Sequence, residues 1–510
     1  MSTLNTNPWA VAVSGSPTPA RTRLQGSPQQ EAFWAGLLDE SAGNLLLDAR
    51  AGTGKSTSCR EGMWRLMERG GSPRIRYCCF NKAIAEEFAA KCPPGVEVGT
   101  MHRFGFQALR KATGARIEPE KSYILLDALD GGKSLPRHVR KAVVKLVGAA
   151  KNAGISPAEF VEGDARSDLM DREEIEGYGY RQKILAYAGD LLQDSLDCGA
   201  MADFDDMLWM PVMLGLSFPK TDYLFIDEAQ DLSAIQHGLV GMIAGGGRIV
   251  AAGDPYQAIY AFRGADSRSI ATLRDQHAMR SYPLTITRRC PRSHVALAAR
   301  IVPDFEAAPE APAGRIDHAR AGKLLEFASP GDLVLCRANR PLISACLRAL
   351  AARIPAIVRG RAIGDQLMAI LRKIDSASLR TIAEVEAGLR EYEAAEVARL
   401  SARDGCEPLL EALADRVGCL QALAAECSTP AELPGRIGEL FDDRQDAARI
   451  TFSSVHRAKG SEAERVHLID LPWGRMPEGP NRLVEMQQRR NLDYVARTRS
   501  LHHLTLVSPE

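Results

Sequence analysis

The segment Asn44 to Thr57, NLLLDARAGTGKST, leaves little choice about how the chain around it folds. Three leucines make a short apolar strand, a glycine-rich turn follows, and Lys55-Ser56 opens a helix. Backbone N–H groups of such a turn converge on phosphate oxygens, the lysine reaches the β- and γ-phosphates, and the next hydroxyl ligates Mg²⁺. The pattern assigns Ala51, Gly52, Thr53, Gly54, Lys55, Ser56 and Thr57 to a nucleoside triphosphate, with Ser56 also a metal ligand. Ala49 occupies the place of the usual first glycine and is nearly as small. By itself the loop says only that a nucleotide binds.

A chain of 510 residues with 45% hydrophobic side chains exceeds what one core organises, so two or more globular units are expected. Lys and Arg number 64 against 64 Asp and Glu, so any nucleic-acid contact must come from local basic patches. Eleven cysteines without a C-x-x-C spacing fit a reduced, cytoplasmic protein with no disulfide framework and no zinc site. No apolar run has the length of a membrane span, so no membrane partner is expected.

Residues 1–23 are rich in Ser, Pro, Thr and Asn and read as a flexible tail. Ser27-Pro28 is a helix entry, with Ser27 as N-cap. Apolar runs at Ile75 to Phe80, Val96 to Thr100, Tyr223 to Ile226 and Ile249 to Ala252 alternate with helical stretches, which predicts a doubly wound parallel α/β sheet over 24–282. A helical, polar insertion is expected at about 105–215. Within it Arg137, Lys141 and Lys145 share one helix face, with Arg140 beside them. Such faces are most often simply solvated; in a DNA-binding protein this one would suit phosphates. A second α/β domain is expected over 283–510, from apolar runs at Leu333 to Cys336, Ile357 to Val358, Ile450 to Phe452, Val466 to Ile469 and Leu504 to Val507. Its own helical insertion, about 365–445, holds sixteen acidic against nine basic residues and is a poor match for phosphates.

Tyr223 to Asp231, YLFIDEAQD, is an apolar strand ending in two acids, where a parallel sheet presents ligands. Asp227 would hold Mg²⁺ through water and Glu228 would polarise an attacking water. Ile249 to Ala265 repeats the layout. There Gln257 is placed to touch a γ-phosphate, Tyr260 and Phe262 to stack on bases, and Arg263 to meet the strand.

Together these stretches resemble the UvrD/Rep-type superfamily 1A DNA helicases, in that family's order and over most of the chain. Gln29 sits at the adenine-contacting Q motif, ARAGTGKST resembles motif I, and Phe80-Asn81-Lys82-Ala83 resembles motif Ia. Thr100-Met101-His102 is similar to motif Ib, IDEAQD to motif II and GDPYQAIYAFRGA to motif III. Thr287-Arg288-Arg289-Cys290 fills motif IV, Val455 to Glu462 motif V and Arg490 to Arg499 motif VI, while Phe204 to Leu208 is similar to the return from the first insertion. The resemblance implies that Arg289 and Arg499 are arginine fingers, that Glu462 reaches the ribose, and that Phe80, Asn81, Thr100, His102 and His456 contact DNA. Arg288 replaces the tyrosine usually stacked on adenine, Phe262 a common tryptophan, and Ser461 the usual leucine after Lys-Gly. The FNKA form of motif Ia and the reduced second insertion are similar to the F-box DNA helicase branch and to compact phage or defence helicases.

The resulting expectation is two RecA-like P-loop NTPase domains with mainly helical insertions, using ATP and Mg²⁺ to move 3′→5′ on single-stranded DNA and to open single-strand/duplex junctions. The resemblance places such activity in repair, recombination or replication. Two alternatives are a translocase that strips proteins without processive unwinding and an ATP-dependent switch. The chain is expected to act as a monomer. Any nuclease partner is expected to be a separate polypeptide, because little sequence follows motif VI.

Overall fold

The computed structural model describes residues 23–129, 132–163, 165–173, 175, 179–259, 268–401, 407–442, 448–473 and 482–509. They divide into two compact units. The first runs through Ala49 and resumes over Gly54–Leu284; the second takes the turn Arg50–Thr53 together with everything from Thr285.

The first unit is built on a six-stranded sheet: β1 (Leu45–Ala49), β2 (Ile75–Cys79), β3 (Glu97–Thr100), β4 (Tyr223–Ile226), β5 (Arg248–Gly253) and β6 (Arg280–Leu284). The order is β3-β2-β4-β5-β1-β6, and every pairing is parallel. A parallel sheet buries both faces, so its strands need apolar residues at successive positions. Leu45, Leu47 and Ala49 of β1 pack on one side with Phe33, Trp34 and Met63, whereas Leu46 packs on the other with Ile226 and Ala251. The helix Pro28–Leu38 begins with the predicted Ser27 cap, reciprocated by the Gln30 side chain. β6 carries Tyr282 and Leu284 into the first core, so this unit extends two residues past the sequence-derived limit.

Between β3 and β4 the chain is helical, over Met101–Thr113, Lys121–Ala128, Arg137–Ala153, Pro157–Glu162, Ala165–Arg172, Arg181–Asp197 and Asp206–Met213. A two-residue parallel pairing of Arg116–Ile117 with Met201–Ala202 brings the entry and exit of this segment together. The helix Arg137–Ala153 buries Val139, Val143, Leu146 and Val147 and exposes Arg137, Lys141 and Lys145. Arg140 is not part of an open basic face, because it pairs with Asp127 at 2.6 Å.

Four charged side chains lock this segment from inside. Lys121 reaches Asp206 at 2.7 Å, and Lys151 reaches Asp206 at 2.7 Å and Asp203 at 2.9 Å. Ser122 and Ser195 donate further hydrogen bonds to Asp203 and Asp206. Burial alone would discharge Lys151, but Asp206 and Asp203 outweigh it and hold the ammonium above its ordinary pKa. Charges this deep persist only when paired, and removing one partner leaves the other uncompensated. Asp206→Ala is therefore expected to cost the first unit about 3–5 kcal/mol. Urea unfolding followed by fluorescence of Trp209, whose ring centroid lies 5.8 Å from the Lys151 ammonium, measures it. A loss below about 1 kcal/mol, the scale of a surface pair, would show that the quartet does not hold the segment.

The second unit has seven parallel strands: β7 (Arg315–Arg320), β8 (Leu333–Cys336), β9 (Ala356–Arg359), β10 (Phe441–Asp442), β11 (Ile450–Ser454), β12 (Ala463–Ile469) and β13 (Ser500–Ser508). Their order is β7-β13-β12-β8-β11-β9-β10. Between β9 and β10 lie helices Arg361–Lys373, Ile382–Leu400, Glu407–Ala424 and Leu433–Leu440. Leu367, Leu389 and Leu420 from these helices share one core with Val334, Val358 and Phe452 of the sheet. Asp415 ties the acidic helices to the sheet by accepting from the backbone N–H groups of Asn339 and Arg340 at 2.9 and 2.8 Å. Both units are α/β with parallel sheets, the class expected from the sequence.

Candidate functional site

β4, β5 and β1 are neighbours, and all three end on the same edge. Parallel sheets gather ligands at this carboxyl edge. Lys55 and Ser56 follow β1 at the start of helix Lys55–Glu68, Asp227 and Glu228 follow β4, and Asp254 and Gln257 follow β5. Gly54, at φ +89°, caps that helix in a left-handed conformation that favours glycine.

The side chains meet. The Ser56 hydroxyl donates to Asp227 Oδ2 at 2.9 Å, the Tyr77 hydroxyl donates to the same oxygen at 2.7 Å, and Lys55 Nζ lies 2.9 Å from Glu228 Oε2. Glu228 holds φ +53°, an uncommon backbone conformation for a residue with a Cβ, which costs on the order of 1–3 kcal/mol. Its N–H donates to Asp227 Oδ1 at 2.9 Å. Gln230 bonds the Glu228 carboxylate and accepts from the Asp254 N–H, and Gln257 Nε2 donates to Asp254 Oδ2 at 2.6 Å. One network therefore spans the ends of β4 and β5.

Burial and the neighbouring Glu228 raise the Asp227 carboxyl above its ordinary value, opposed by Lys55 and by the hydroxyls of Tyr77 and Ser56. Burial would lower Lys55, but Glu228, Asp227 and Asp254 outweigh it and keep the ammonium charged. Among the described residues no cluster of three or more His, Cys, Asp or Glu could enclose a metal. Ser56 with Asp227 suits Mg²⁺, which takes one or two protein oxygens and completes its shell with phosphate and water.

Gln29, the expected adenine contact, is half-buried; its neighbour Gln30 is buried and donates to Ser58 Oγ at 2.9 Å. Thr57 follows Ser56 on the first turn of the same helix.

In the second unit the turn residue Ala51 donates its N–H to the Tyr494 hydroxyl at 2.8 Å, and Thr53 Oγ1 bonds the Arg50 carbonyl. Gly52 has φ +68°, and a Cβ there would come within 2.3 Å of Arg289 Cβ, so only glycine fits. Arg289 pairs with Glu462, Nε to Oε2 at 2.5 Å. Arg499 is 1% exposed and donates to the Val495 carbonyl at 2.9 Å and to Thr498 Oγ1 at 3.1 Å. Burial, reinforced by Arg289, brings the Arg499 guanidinium down to about 10. Arg288 is exposed and His456 half-buried. Tyr494 was not singled out from the sequence, because a tyrosine inside a helical pattern carries no sign of which backbone it will reach.

Of the nucleic-acid residues expected in the first unit, Phe80 is 53% exposed. Asn81 and Thr100 cap the helices that follow them, accepting from the N–H groups of Ile84 and Arg103. Thr100 and His102 line two cavities. The smaller, about 20 Å³, also includes Phe80, Asp227 and Glu228. The larger, about 70 Å³, is framed by Arg103, Phe106, Arg110 and Phe204, and Phe204 is 51% exposed. An exposed aromatic beside two arginines is an arrangement the sequence reading did not assign. Burial lowers His102, keeping its ring neutral near pH 7. Tyr260, Phe262 and Arg263 lie outside the described residues.

Residues 30–278 match the family model of the UvrD/REP helicase N-terminal domain. Over that segment the first unit is similar to the UvrD/REP helicase N-terminal domain. Two curated relatives are named ATP-dependent DNA helicase PcrA. The one from Staphylococcus epidermidis is 26% identical over 260 residues, covering 46% of this chain and 34% of the relative. The one from Staphylococcus aureus is 25% identical over 257 residues, covering 45% and 33%. The match thus spans about a third of the length of these relatives. The matched segment contains the whole Lys55–Ser56–Asp227–Glu228 constellation.

Tyr77 lies on β2, yet its hydroxyl stabilises the charged form of Asp227. Tyr77→Phe should raise the Asp227 pKa further, and, with Asp227 as the ligand for Mg²⁺, the acid limb of nucleotide binding would move to higher pH. Titration of a fluorescent ATP analogue against pH reads this shift, and an unmoved midpoint would remove Tyr77 from the site.

Proposed function

We propose that this chain is an ATP-dependent DNA helicase that moves 3′→5′ on single-stranded DNA. The observation that carries the reading is the meeting of Lys55, Ser56, Asp227 and Glu228 at one sheet edge, within hydrogen-bonding distance of one another. Those four groups supply what phosphoanhydride hydrolysis needs: a phosphate-seeking cation, two metal-facing oxygens and a carboxylate to orient water.

In this reading Lys55 exchanges Glu228 for β- and γ-phosphate oxygens, which leaves the Glu228 carboxylate to accept a proton from the attacking water. Ser56 and Asp227 would hold Mg²⁺, which would supply positive charge to offset that of the phosphates. Gln257 senses the γ-phosphate, Arg289 and Arg499 neutralise charge developing on it, Gln29 and Arg288 frame the adenine, and Glu462 meets the ribose. Ala51, Gly52, Thr53, Gly54 and Thr57 complete the phosphate turn. Thr100, His102, Phe80 and Phe204 face single-stranded DNA, with His456 on the second unit. Aromatic stacking at exposed Phe80 and Phe204 is sequence-tolerant, at ~1–3 kcal/mol per base, as a motor that must pass every sequence requires. The small cavity shared by Thr100, His102, Asp227 and Glu228 supports coupling, since a strand at one end adjoins the acids at the other.

ATP hydrolysis with and without single-stranded DNA, followed by unwinding of duplexes with a 3′ or a 5′ tail, tests the proposal. Stimulation with unwinding only from the 3′ tail is expected. Lys55→Ala should lose stimulated turnover, and Glu228→Gln should retain nucleotide binding while kcat falls about 10²-fold or more. DNA-stimulated hydrolysis that survives in Lys55→Ala would overturn the site. Stimulation without unwinding from either tail would replace the helicase with a translocase.

A further inference from the structure

Ser461 departs from the leucine usual after Lys-Gly in the resembling family, and its hydroxyl is engaged. Arg359, the last residue of β9, donates from Nη1 to Ser461 Oγ at 3.0 Å. We infer that Arg359 is a positioning residue that fixes the turn Ala458–Ala463 through Ser461, and through that turn sets where Glu462 holds the Arg289 guanidinium. The inference rests on the proposed function, which gives Arg289 its role, but the structural chain lies entirely within the second unit.

Each link is a short contact. The Ser461 N–H closes the turn on the Ala458 carbonyl at 2.9 Å, and Gly460 at φ +81° supplies the left-handed residue the turn needs. Glu462, next in the chain, grips Arg289 with both oxygens, Oε2 to Nε at 2.5 Å and Oε1 to Nη2 at 3.5 Å. The Ala463 N–H donates to the Arg499 carbonyl at 3.2 Å. Through Glu462 and Ala463 this six-residue turn thus touches both arginines assigned to the γ-phosphate, and Arg359 holds it at Ser461. A second close approach reinforces this: a Cβ on Gly360 would sit 3.2 Å from Arg457 Nε and 2.8 Å from Ile363 Cδ1, so glycine lets the end of β9 lie against the segment leading into the turn.

A leucine at 461 could not accept the Arg359 hydrogen bond, so arginine and serine function as a pair. The guanidinium is well suited to this, because its rigid fork fixes direction as well as distance. A small displacement of Glu462 would move the Arg289 head group, and positioning errors of this kind appear in turnover more than in ground-state binding.

The test uses the full chain with Arg359→Ala, Arg359→Lys, Ser461→Ala and the double alanine variant. ATP turnover at saturating oligo(dT), the KM for ATP, oligo(dT) affinity and amide hydrogen exchange are the readouts. Arg359→Ala and Ser461→Ala should each lower kcat about tenfold, the effect of one charge-assisted hydrogen bond, with KM and oligo(dT) affinity little changed. The double variant should be no worse than the more damaged single one, Arg359→Lys should recover part of the loss, and exchange at the Ser461 and Ala463 amides should speed up in Arg359→Ala. Additive losses, or a loss of oligo(dT) affinity with kcat intact, would make Arg359 an independent or a DNA-contacting residue and overturn the proposal. Unchanged amide exchange would overturn it whatever the turnover. Wild-type protein without DNA-stimulated hydrolysis would overturn the functional reading instead, with the exchange experiment still deciding whether Arg359 holds the turn.

Discussion

A carboxylate at the end of a buried parallel strand is the constraint around which the first unit is arranged. Asp227 sits where the sheet's interior meets its edge, and burial there works against its charge. Left alone it would bind a proton, and a protonated acid is a poor metal ligand. The surroundings keep the charged form accessible: hydroxyls from β2 and from the helix after β1 donate to it, and the Lys55 ammonium attracts it. Three chain segments far apart in sequence must therefore end at one place. The strand order β2-β4-β5-β1 achieves this.

That order also explains how the chain accommodates a long helical segment between β3 and β4. A parallel connection must leave one edge of the sheet and return to the other, so its length is not fixed by the sheet. The cost of extra length grows slowly, provided the inserted segment has its own core. Here the helices share a core with the sheet, and the Lys–Asp quartet fastens them where apolar packing alone would not fix the register of the helices. The second unit solves the same problem with an apolar core and carboxylates of one inserted helix, Asp415 on backbone amides and Glu411 on Arg337.

The strands were legible because a sheet buried on both faces writes an uninterrupted apolar run, and the phosphate turn because its glycines and Lys-Ser occur in a fixed order. Asp227 and Glu228 were legible by their place after such a run. The Tyr77 contact was not, since nothing in IRYCC distinguishes a core tyrosine from one whose hydroxyl reaches a neighbouring strand's end. Phe204 was named only as part of the return from the first insertion, because the exposure of its ring depends on the packing of helices distant in sequence. Arg140 shows the converse error, a helix-face pattern that counted a cation whose charge is used by Asp127 on another helix. Spacing along one element was readable; pairings between elements were not.

The two arginines of the second unit differ in a way that their motifs do not express. Arg289 lies against a carboxylate at the surface, and its charge is already balanced by Glu462. Arg499 is buried, and its pKa falls to about 10 because burial and Arg289 disfavour its charge. At neutral pH it still carries that charge. An environment that disfavours a cation before an anion arrives gains most when the anion does, because the guanidinium is already dehydrated and its direction is already fixed by Val495 and Thr498. In the proposed reading Arg289 would instead have to weaken its ion pair with Glu462 to reach a phosphate. In that reading the buried Arg499 would stabilise developing charge without rearrangement, whereas the half-buried Arg289 would have to move away from Glu462.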